Sequence, residues 1–218
     1  MIVAAVPVKD LTSAKQRLTA ALAPARRQAL ARAMLEDVLD ALARALPGSV
    51  VLVTRDESVM ALGRARRVPC LVEPANRGHT AAVALAQAQA VAQGAERFLT
   101  LPGDVPCVTA DEVLAVCRAA APGPGVVLVP SASGLGTNAA LLAPPDAMPL
   151  TFGEPSFDGH VAVARARGLA PVILRLPGLG LDIDAPEDLA RLLALGPGTR
   201  SGRLLAEWPE VAGQAARA

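Results

Sequence analysis

The segment Arg97-Phe98-Leu99-Thr100-Leu101-Pro102-Gly103-Asp104-Val105-Pro106 predicts a buried strand that ends in a carboxylate and a turn. Its first half is apolar enough for the core of a sheet. Pro102-Gly103 ends the strand, because proline lacks the N–H group that a sheet ladder needs. Asp104 is then left at the carboxyl end of the strand, and in open α/β sheets ligands bind at that edge.

The position of Asp104 allows two interpretations. It could cap the helix that is predicted to begin near Ala110, but Thr109 and Asp111 are better placed to do so. It could instead bind a metal ion, which requires further oxygen ligands. The segment Leu181-Asp182-Ile183-Asp184-Ala185-Pro186 supplies two more aspartates, so we favour the metal-binding interpretation.

Predicted strands and helices alternate along the chain. Apolar runs predict strands at residues 2–6, 50–54, 68–72, 97–101, 125–130 and 172–176. Helical patterns cover residues 24–46, 56–63, 80–93, 111–121, 157–168 and 186–195. This alternation predicts an α/β domain with a mostly parallel sheet. We expect one domain over residues 1–195, followed by a partly disordered tail over residues 196–218 that is rich in small side chains.

The composition limits the class of function. The chain has 218 residues, a formal net charge of +1 and 2% aromatic residues, so it has neither the charge nor the stacking surfaces of a nucleic-acid-binding protein. No apolar run is long enough to span a membrane. The cysteines, Cys70, Cys107 and Cys117, match no zinc spacing and predict small buried hydrophobes in a reducing cytosol. We therefore expect a cytoplasmic protein that has no nucleic-acid or membrane partner.

The loop after the first strand carries Lys9, Lys15 and Arg17. Arginine can bind a phosphate through two parallel N–H groups and lysine supplies a compact charge, so these residues could hold a triphosphate. The alternative is that they are ordinary solvated charges among 21 Lys and Arg residues. The chain has no Gly-x-Gly-x-x-Gly segment after its first strand and no Gly-x-x-x-x-Gly-Lys-Ser/Thr segment, which disfavours dinucleotide redox chemistry and P-loop hydrolysis.

Asp182 and Asp184 alternate with apolar residues, and residues two apart share a face of an extended chain. Together with Asp104 they could hold Mg²⁺, which binds one or two carboxylates and the phosphate oxygens of a substrate. Such ions neutralise the charge of a leaving pyrophosphate. Asp184 could equally be the N-cap of the helix predicted from Pro186. For Asp182, which lies further from that helix, we favour the metal role.

Two loops combine glycine with hydroxyl side chains, namely Gly136-Thr137-Asn138 and Gly153-Glu154-Pro155-Ser156-Phe157. Ser156 could cap the helix that follows it, and the same free N–H groups could bind a phosphate. Taken alone, each loop is also compatible with ordinary turn chemistry. His79 and His160 form no pattern typical of a catalytic triad, so we interpret them as structural or solvated.

Five segments in a fixed order carry a family resemblance. They are Pro7-Val8-Lys9 with Ala14-Lys15-Gln16-Arg17-Leu18, then Gly103-Asp104-Val105-Pro106, then Gly136-Thr137-Asn138, then Gly153 with Ser156-Phe157 and His160, and last Leu181-Asp182-Ile183-Asp184-Ala185-Pro186-Glu187-Asp188-Leu189. With them the chain resembles the 2-phospho-L-lactate or phosphoenolpyruvate guanylyltransferases of deazaflavin coenzyme F420 biosynthesis. These enzymes belong to the wider nucleotidyltransferases of the molybdopterin-guanylyltransferase type.

The resemblance implies a single-domain, Rossmann-like fold of three layers with a mostly parallel sheet. It implies Mg²⁺-dependent transfer of GMP from GTP to the phosphate of 2-phospho-L-lactate, phosphoenolpyruvate or 3-phosphoglycerate, with release of pyrophosphate. A homodimer is compatible with it. The residues that it implies are Lys15, Arg17 and Asp104 for catalysis, Lys9, Lys15, Arg17, Glu73, His79 and Thr80 for the nucleotide, Thr137, Gly153 and Ser156 for the acceptor, and Asp104, Asp182 and Asp184 for magnesium.

One segment departs from the family pattern. Where the family usually has Gly-Leu-Asn-x-Ala after the third strand, this chain has Arg77-Gly78-His79-Thr80-Ala81. Such folds hold the base and ribose near this region, so the nucleotide preference and the acceptor stay open. Two other classes also stay open. One is a related nucleotidyltransferase for a molybdopterin or a sugar phosphate, although the first loop lacks the glycine-rich signature of the molybdopterin enzymes. The other is a non-catalytic nucleotide-binding protein, although such a module does not need three aspartates around a metal.

Overall fold

The computed structural model describes residues 1–11, 15–120 and 122–208. The strands are β1 Ile2–Pro7, β2 Val50–Thr54, β3 Cys70–Val72, β4 Arg97–Thr100, β5 Gly125–Pro130, β6 Thr137–Ala143 and β7 Val172–Ile173. The helices are α1 Pro24–Ala45, α2 Glu57–Arg66, α3 His79–Ala92, α4 Ala110–Ala119, α5 Phe157–Ala166, α6 Pro177–Gly180, α7 Pro186–Leu195 and α8 Arg200–Ala206. A short 3-10 helix covers Gln16–Leu18.

The strands form one sheet in the order β3-β2-β1-β4-β6-β5-β7. Every pair is parallel except those of β6, which runs antiparallel to both β4 and β5. The prediction of an α/β fold with a mostly parallel sheet is confirmed. The sequence did not predict β6 as a strand. All seven of its residues are buried, and such an apolar run lacks the alternation that distinguishes a half-exposed strand.

Helices cover both faces of the sheet. Consecutive strand residues point to opposite faces, so Ala4 and Val6 pack with α1 whereas Ala5 packs with α3 and α5. The apolar stripe of α1 is fully buried against the sheet. This arrangement confirms the three layers.

The packed part of the chain extends beyond residue 195, where we expected the domain to end. The Asp37 carboxylate on α1 accepts hydrogen bonds from the backbone N–H groups of Arg200 and Ser201, at 2.8 and 2.9 Å. Leu205 and Trp208 are buried. A run of small residues is typical of a disordered tail, but the apolar side chains in this run pack against α1. Residues 209–218 lie outside the described part of the chain, and the expected disorder there stays a prediction.

The cysteines are free thiols, of which Cys107 is buried and Cys70 and Cys117 are half-buried. Burial raises the pKa of all three, that of Cys107 to about 11. They are therefore neutral thiols, as packing residues should be. Among the described residues, no helix combines the length and the apolar character needed to cross a bilayer.

Candidate active site

A cavity of about 450 Å³ opens where β1 and β4 end. Pro7 and the segment from Pro102 to Asp104 form its sheet side, and Met34 and Leu35 of α1 form its apolar wall. Six of the predicted site residues line it, and they carry all of its strong charges except that of Asp10. These six are Lys9, Lys15, Arg17, His79, Asp104 and Asp184.

Lys15 lies at the centre of the charged groups. Its backbone adopts the left-handed conformation, with φ of 57°, and its side chain is only 7% exposed. The ammonium group donates to Oδ2 of Asp104 at 2.6 Å and to Oδ1 of Asp184 at 2.8 Å. Burial alone would lower the pKa of Lys15, but the two carboxylates outweigh it and raise the pKa. Lys15 therefore stays charged at neutral pH.

The two acidic segments are joined through the backbone. The N–H group of Ile183 donates to the carbonyl oxygen of Asp104 at 3.1 Å, and the Ile183 side chain is completely buried. Because neighbouring residues of an extended segment alternate in direction, the carboxylates of Asp182 and Asp184 turn away from the core. Burial alone would raise the pKa of Asp184, but the Lys15 ammonium overrides it and lowers the pKa.

Asp184 does not cap α7. The N-cap residue is Ala185, and the Asp188 carboxylate accepts from the backbone N–H groups of Asp184 and Ala185, at 3.0 and 2.8 Å. Asp188 therefore satisfies the start of the helix from inside its first turn. The alternative that assigned Asp184 to capping is wrong, and the Asp184 side chain is left to Lys15. Thr109 does cap α4, as expected, which leaves the Asp104 side chain to Lys15 as well.

Asp182 has a different partner. Its Oδ1 accepts from the Asn138 amide at 3.0 Å. Burial raises the pKa of Asp182, and the negative charges of Asp104 and Asp184 add to the rise. In the part of the chain that the structure describes, no group of three or more acidic, histidine or cysteine side chains is arranged to hold a metal ion. Two of the three predicted ligands, Asp104 and Asp184, thus share one cation in the structure, the Lys15 ammonium group.

The predicted acceptor residues do not line this cavity. Thr137 begins β6, and because β6 is antiparallel to β4, with Ala140 opposite Thr100, its beginning lies at the edge where β4 ends and Asp104 follows. Gly153 has φ of 141°, which other residues rarely adopt. Ser156 is the N-cap residue of α5, but its hydroxyl makes no capping hydrogen bond.

His160 connects the segments that carry the acceptor residues. Its Nδ1 lies 2.8 Å from the Thr137 hydroxyl, and its Nε2 accepts from the backbone N–H group of Thr151 at 2.9 Å. The backbone N–H group of His160 donates to the carbonyl oxygen of Ser156 at 2.9 Å. The side chain is almost completely buried, and burial lowers its pKa.

Phe152 joins this hydrogen-bonded region to the cavity. Its ring packs edge-on against His79 and His160, at centroid distances of 4.6 and 5.1 Å. The Thr80 hydroxyl bonds to both backbone groups of Phe152, at 2.9 and 3.3 Å. Thr80 therefore ties α3 to the loop before Gly153 and does not line the cavity.

The remaining predicted nucleotide residue is Glu73, which is buried and also does not line the cavity. Burial raises its pKa, and the charges of Arg55 and Lys9 oppose the rise. Sequence reasoning missed three residues of the site, Asn138, His160 and Asp188. Asp188 had a signal, because an acidic residue in the first turn of a helix is a common cap.

Comparisons with known proteins identify the family of the chain. The family model described as "Guanylyl transferase CofC like" matches residues 2–208. A phosphoenolpyruvate guanylyltransferase from Sphaerobacter thermophilus is 41% identical over 89% of this chain and 94% of its own length. A 2-phospho-L-lactate guanylyltransferase from Methanothermobacter thermautotrophicus is 35% identical, over 93% of this chain and 88% of its own. A 3-phospho-D-glycerate guanylyltransferase from Colwellia psychrerythraea is 34% identical, over 87% and 90%.

Solved structures share the fold. A protein from Desulfovibrio desulfuricans G20 that is assigned to the nucleotide-diphospho-sugar transferases superposes with a TM-score of 0.79, covering 98% of this chain and 97% of that one. Their sequences are only 17% identical, so this likeness concerns the fold alone. The family match spans nearly all of the described chain and the relatives are aligned over most of their length. The chain therefore belongs to the CofC-like guanylyl transferase family of nucleotidyltransferases.

Proposed function

We propose that this protein transfers GMP from GTP to the phosphate of phosphoenolpyruvate, with release of pyrophosphate, as a step in F420 biosynthesis. The observation that carries the proposal is the buried Lys15 ammonium between Asp104 and Asp184 at a cavity lined by Lys9 and Arg17. A cavity with three cations beside two carboxylates suits a triphosphate that is bound together with a divalent ion. A non-catalytic nucleotide-binding module has no need of such a centre.

The reaction forms one bond and breaks one. A phosphate oxygen of the acceptor attacks the α-phosphorus of GTP, and the bond from that phosphorus to the oxygen that bridges it to the β-phosphate breaks. Charge builds up on the leaving pyrophosphate. Lys9, Lys15 and Arg17 neutralise it, and they orient the triphosphate as well.

Magnesium fits the carboxylates at this site. A single ammonium group already contacts one oxygen of Asp104 and one of Asp184, so the two side chains are close enough to bind one cation. Two carboxylates together with substrate phosphates are a typical magnesium set, and we propose Asp104 and Asp184 as its ligands, with Asp182 next to them. When bound, the ion would stabilise the charge of the phosphates.

The acceptor is proposed to contact Thr137, Gly153 and Ser156. Two hydroxyl groups and one exposed backbone position suit a compact acid with one phosphate, and they offer too few polar groups for a hexose phosphate. We place phosphoenolpyruvate first because the relative named for it is 41% identical to this chain, against 35% and 34% for those named for 2-phospho-L-lactate and 3-phospho-D-glycerate. A cytoplasmic location is part of the proposal, because its substrates are cytosolic metabolites.

The test is a pyrophosphate-release assay that crosses ATP, CTP, GTP and UTP with the three acids, with Mg²⁺ and with EDTA. We expect release with GTP and phosphoenolpyruvate in Mg²⁺, and none in EDTA. Glucose 1-phosphate and a pterin serve as control acceptors. Release with a sugar phosphate alone, or with CTP and the pterin, would assign the chain to another nucleotidyltransferase class. Binding of GTP without release under any condition would favour a non-catalytic protein.

A further inference from the structure

We propose that His160 is a positioning residue that holds the Thr137 hydroxyl as a hydrogen-bond donor to the anionic acceptor. The inference deepens the proposed function and rests on it. It assigns a task to a histidine that the sequence presents as a structural residue, and it follows from the hydrogen bonds of one imidazole ring.

The partners of the ring fix its tautomer. The backbone N–H group of Thr151 can only donate, and it points at Nε2 of His160 at 2.9 Å. Nε2 must therefore carry a lone pair and no proton. In a neutral imidazole the proton is then on Nδ1, which lies 2.8 Å from Oγ1 of Thr137. His160 is thus the donor and the Thr137 hydroxyl oxygen is the acceptor in this bond.

This assignment leaves the hydroxyl proton of Thr137 free. A hydroxyl group has one proton and two lone pairs, and His160 occupies one lone pair. Thr137 therefore points its proton at a second partner, and an oxygen of a phosphate or carboxylate is the strongest acceptor that the proposed reaction supplies. Thr137 begins β6 at the edge of the sheet where β4 ends and Asp104 follows, so it lies on the same edge as the acidic centre.

The ring is held in place from several sides. His160 is 2% exposed, both of its ring nitrogens are hydrogen-bonded, and Phe152 packs on the ring. One imidazole therefore fixes the relative positions of β6, the loop before Gly153 and the start of α5. These are the three segments that carry the proposed acceptor residues.

The kinetic test uses His160→Leu, which removes both ring bonds, and His160→Asn, whose amide nitrogen can occupy the place of Nδ1 and donate to Thr137. We expect His160→Leu to raise the KM for phosphoenolpyruvate about 10- to 100-fold and to leave the KM for GTP within about threefold. His160→Asn should recover most of the loss. In a Thr137→Val background, His160→Leu should raise the KM little further, because the two residues act through one contact.

Val161→Ala is the matched control, since Val161 is a buried neighbour on the same helix. It should lower the melting temperature and leave the KM for phosphoenolpyruvate unchanged. If His160→Leu changes stability alone, if His160→Asn restores nothing, or if the effects of Thr137→Val and His160→Leu simply add, His160 is only a packing residue and the inference is overturned.

A measurement on the wild-type protein separates this inference from the proposed function. The chain has only two histidines, so ¹⁵N NMR with His79→Gln as a reference assigns the His160 ring nitrogens. We expect a protonated Nδ1 and an unprotonated Nε2. The opposite tautomer in a protein that turns over phosphoenolpyruvate would overturn the inference alone. The expected tautomer in a protein that turns over none of the three acids would count against the proposed function.

Discussion

The two parts of the proposed site are built from different chemistry. The cavity part joins Lys15 to Asp104 and Asp184, residues that are far apart in the chain, through ion pairs at the ends of parallel strands. The acceptor part joins Thr137, Thr151 and Ser156 through a neutral histidine and backbone hydrogen bonds, around the one antiparallel strand of the described sheet.

This difference indicates a division of labour. Formal charges in the cavity match the charge that develops on a leaving pyrophosphate, so their loss should slow turnover. Neutral donors fixed by a buried ring match an anion whose charge hardly changes before the chemical step, so their loss should weaken binding of the acceptor. Each prediction below tests one side of this comparison, and they run from the largest expected effect to the smallest.

The largest effect should come from Lys15→Met, which removes the ammonium and leaves two carboxylates without their shared cation. We expect turnover to fall by about three orders of magnitude, because the variant loses a charge that would stabilise the transition state. The pKa of Asp184 should rise, since Lys15 is what lowers it. Single-turnover pyrophosphate release measures the first effect and NMR titration of the carboxyl carbons the second.

Lys9→Met is the control for this variant, because Lys9 is an exposed cation of the same cavity. It should cost only about tenfold in the use of GTP. If the two variants lose activity equally, the cavity acts through its summed charge, and the special position of Lys15 has no functional meaning.

Asp184 and Asp188 lie within one helical turn of each other, but we expect the first to affect turnover and the second to affect folding stability. Asp184→Asn should reduce turnover about 100-fold or more, because a proposed magnesium ligand and a partner of Lys15 are lost. Asp188→Ala removes the acceptor of two backbone N–H groups and should cost about 0.5–2 kcal/mol of folding free energy. Chemical denaturation and steady-state rates, measured on both variants, test this. A large loss of stability in Asp184→Ala, but not in Asp184→Asn, would restore the capping role that the structure contradicts, because asparagine caps a helix about as well as aspartate.

Ser156→Ala tests the acceptor part. The hydroxyl of this N-cap residue makes no capping bond, so its loss should leave stability nearly unchanged. It should raise the KM for phosphoenolpyruvate about 10- to 100-fold and spare GTP binding. Thr199→Ala is the matched control, because Thr199 does cap its helix, at 2.9 Å from the N–H group of Gly202. It should lower stability without affecting the acceptor, and a similar stability loss in Ser156→Ala would mean that Ser156 serves α5 alone.

The cavity was more predictable from the sequence than the acceptor part, for a physical reason. Parallel strands place their carboxyl ends at one edge, so apolar runs followed by Asp104, or by the loop with Lys15, locate charged side chains without knowledge of the register. The stripe on α1 and the proline at its start set that helix to within one residue.

The acceptor part depends on features that the sequence does not display. The bond from His160 to Thr137 requires β6, which has no alternation, and an antiparallel register to β4. Asn138 reaches Asp182 across 44 residues. The prediction that Asp184 caps α7 was wrong for a simpler reason. Asp184 and Asp188 are both near the start of the helix, and only the geometry decides which carboxylate reaches the N–H groups there.

The last effect is on stability and concerns His79, which stands where the two parts meet. Burial lowers the pKa of His79 from 6.5 to about 4, Asp104 opposes this and Lys9 adds to it. Between pH 6.5 and 4 the His79 side chain binds a proton in the unfolded chain but not in the folded protein. The free energy of unfolding therefore decreases as the pH falls from 6.5 towards 4. The loss should be roughly 1–3 kcal/mol.

His79→Gln cannot titrate, and it retains His160 and the carboxylates. Urea unfolding of both proteins at a series of pH values should therefore show the wild type losing stability relative to His79→Gln on acidification. Parallel curves would mean that His79 is protonated at its ordinary pKa, and that the contact between the two parts is open to water.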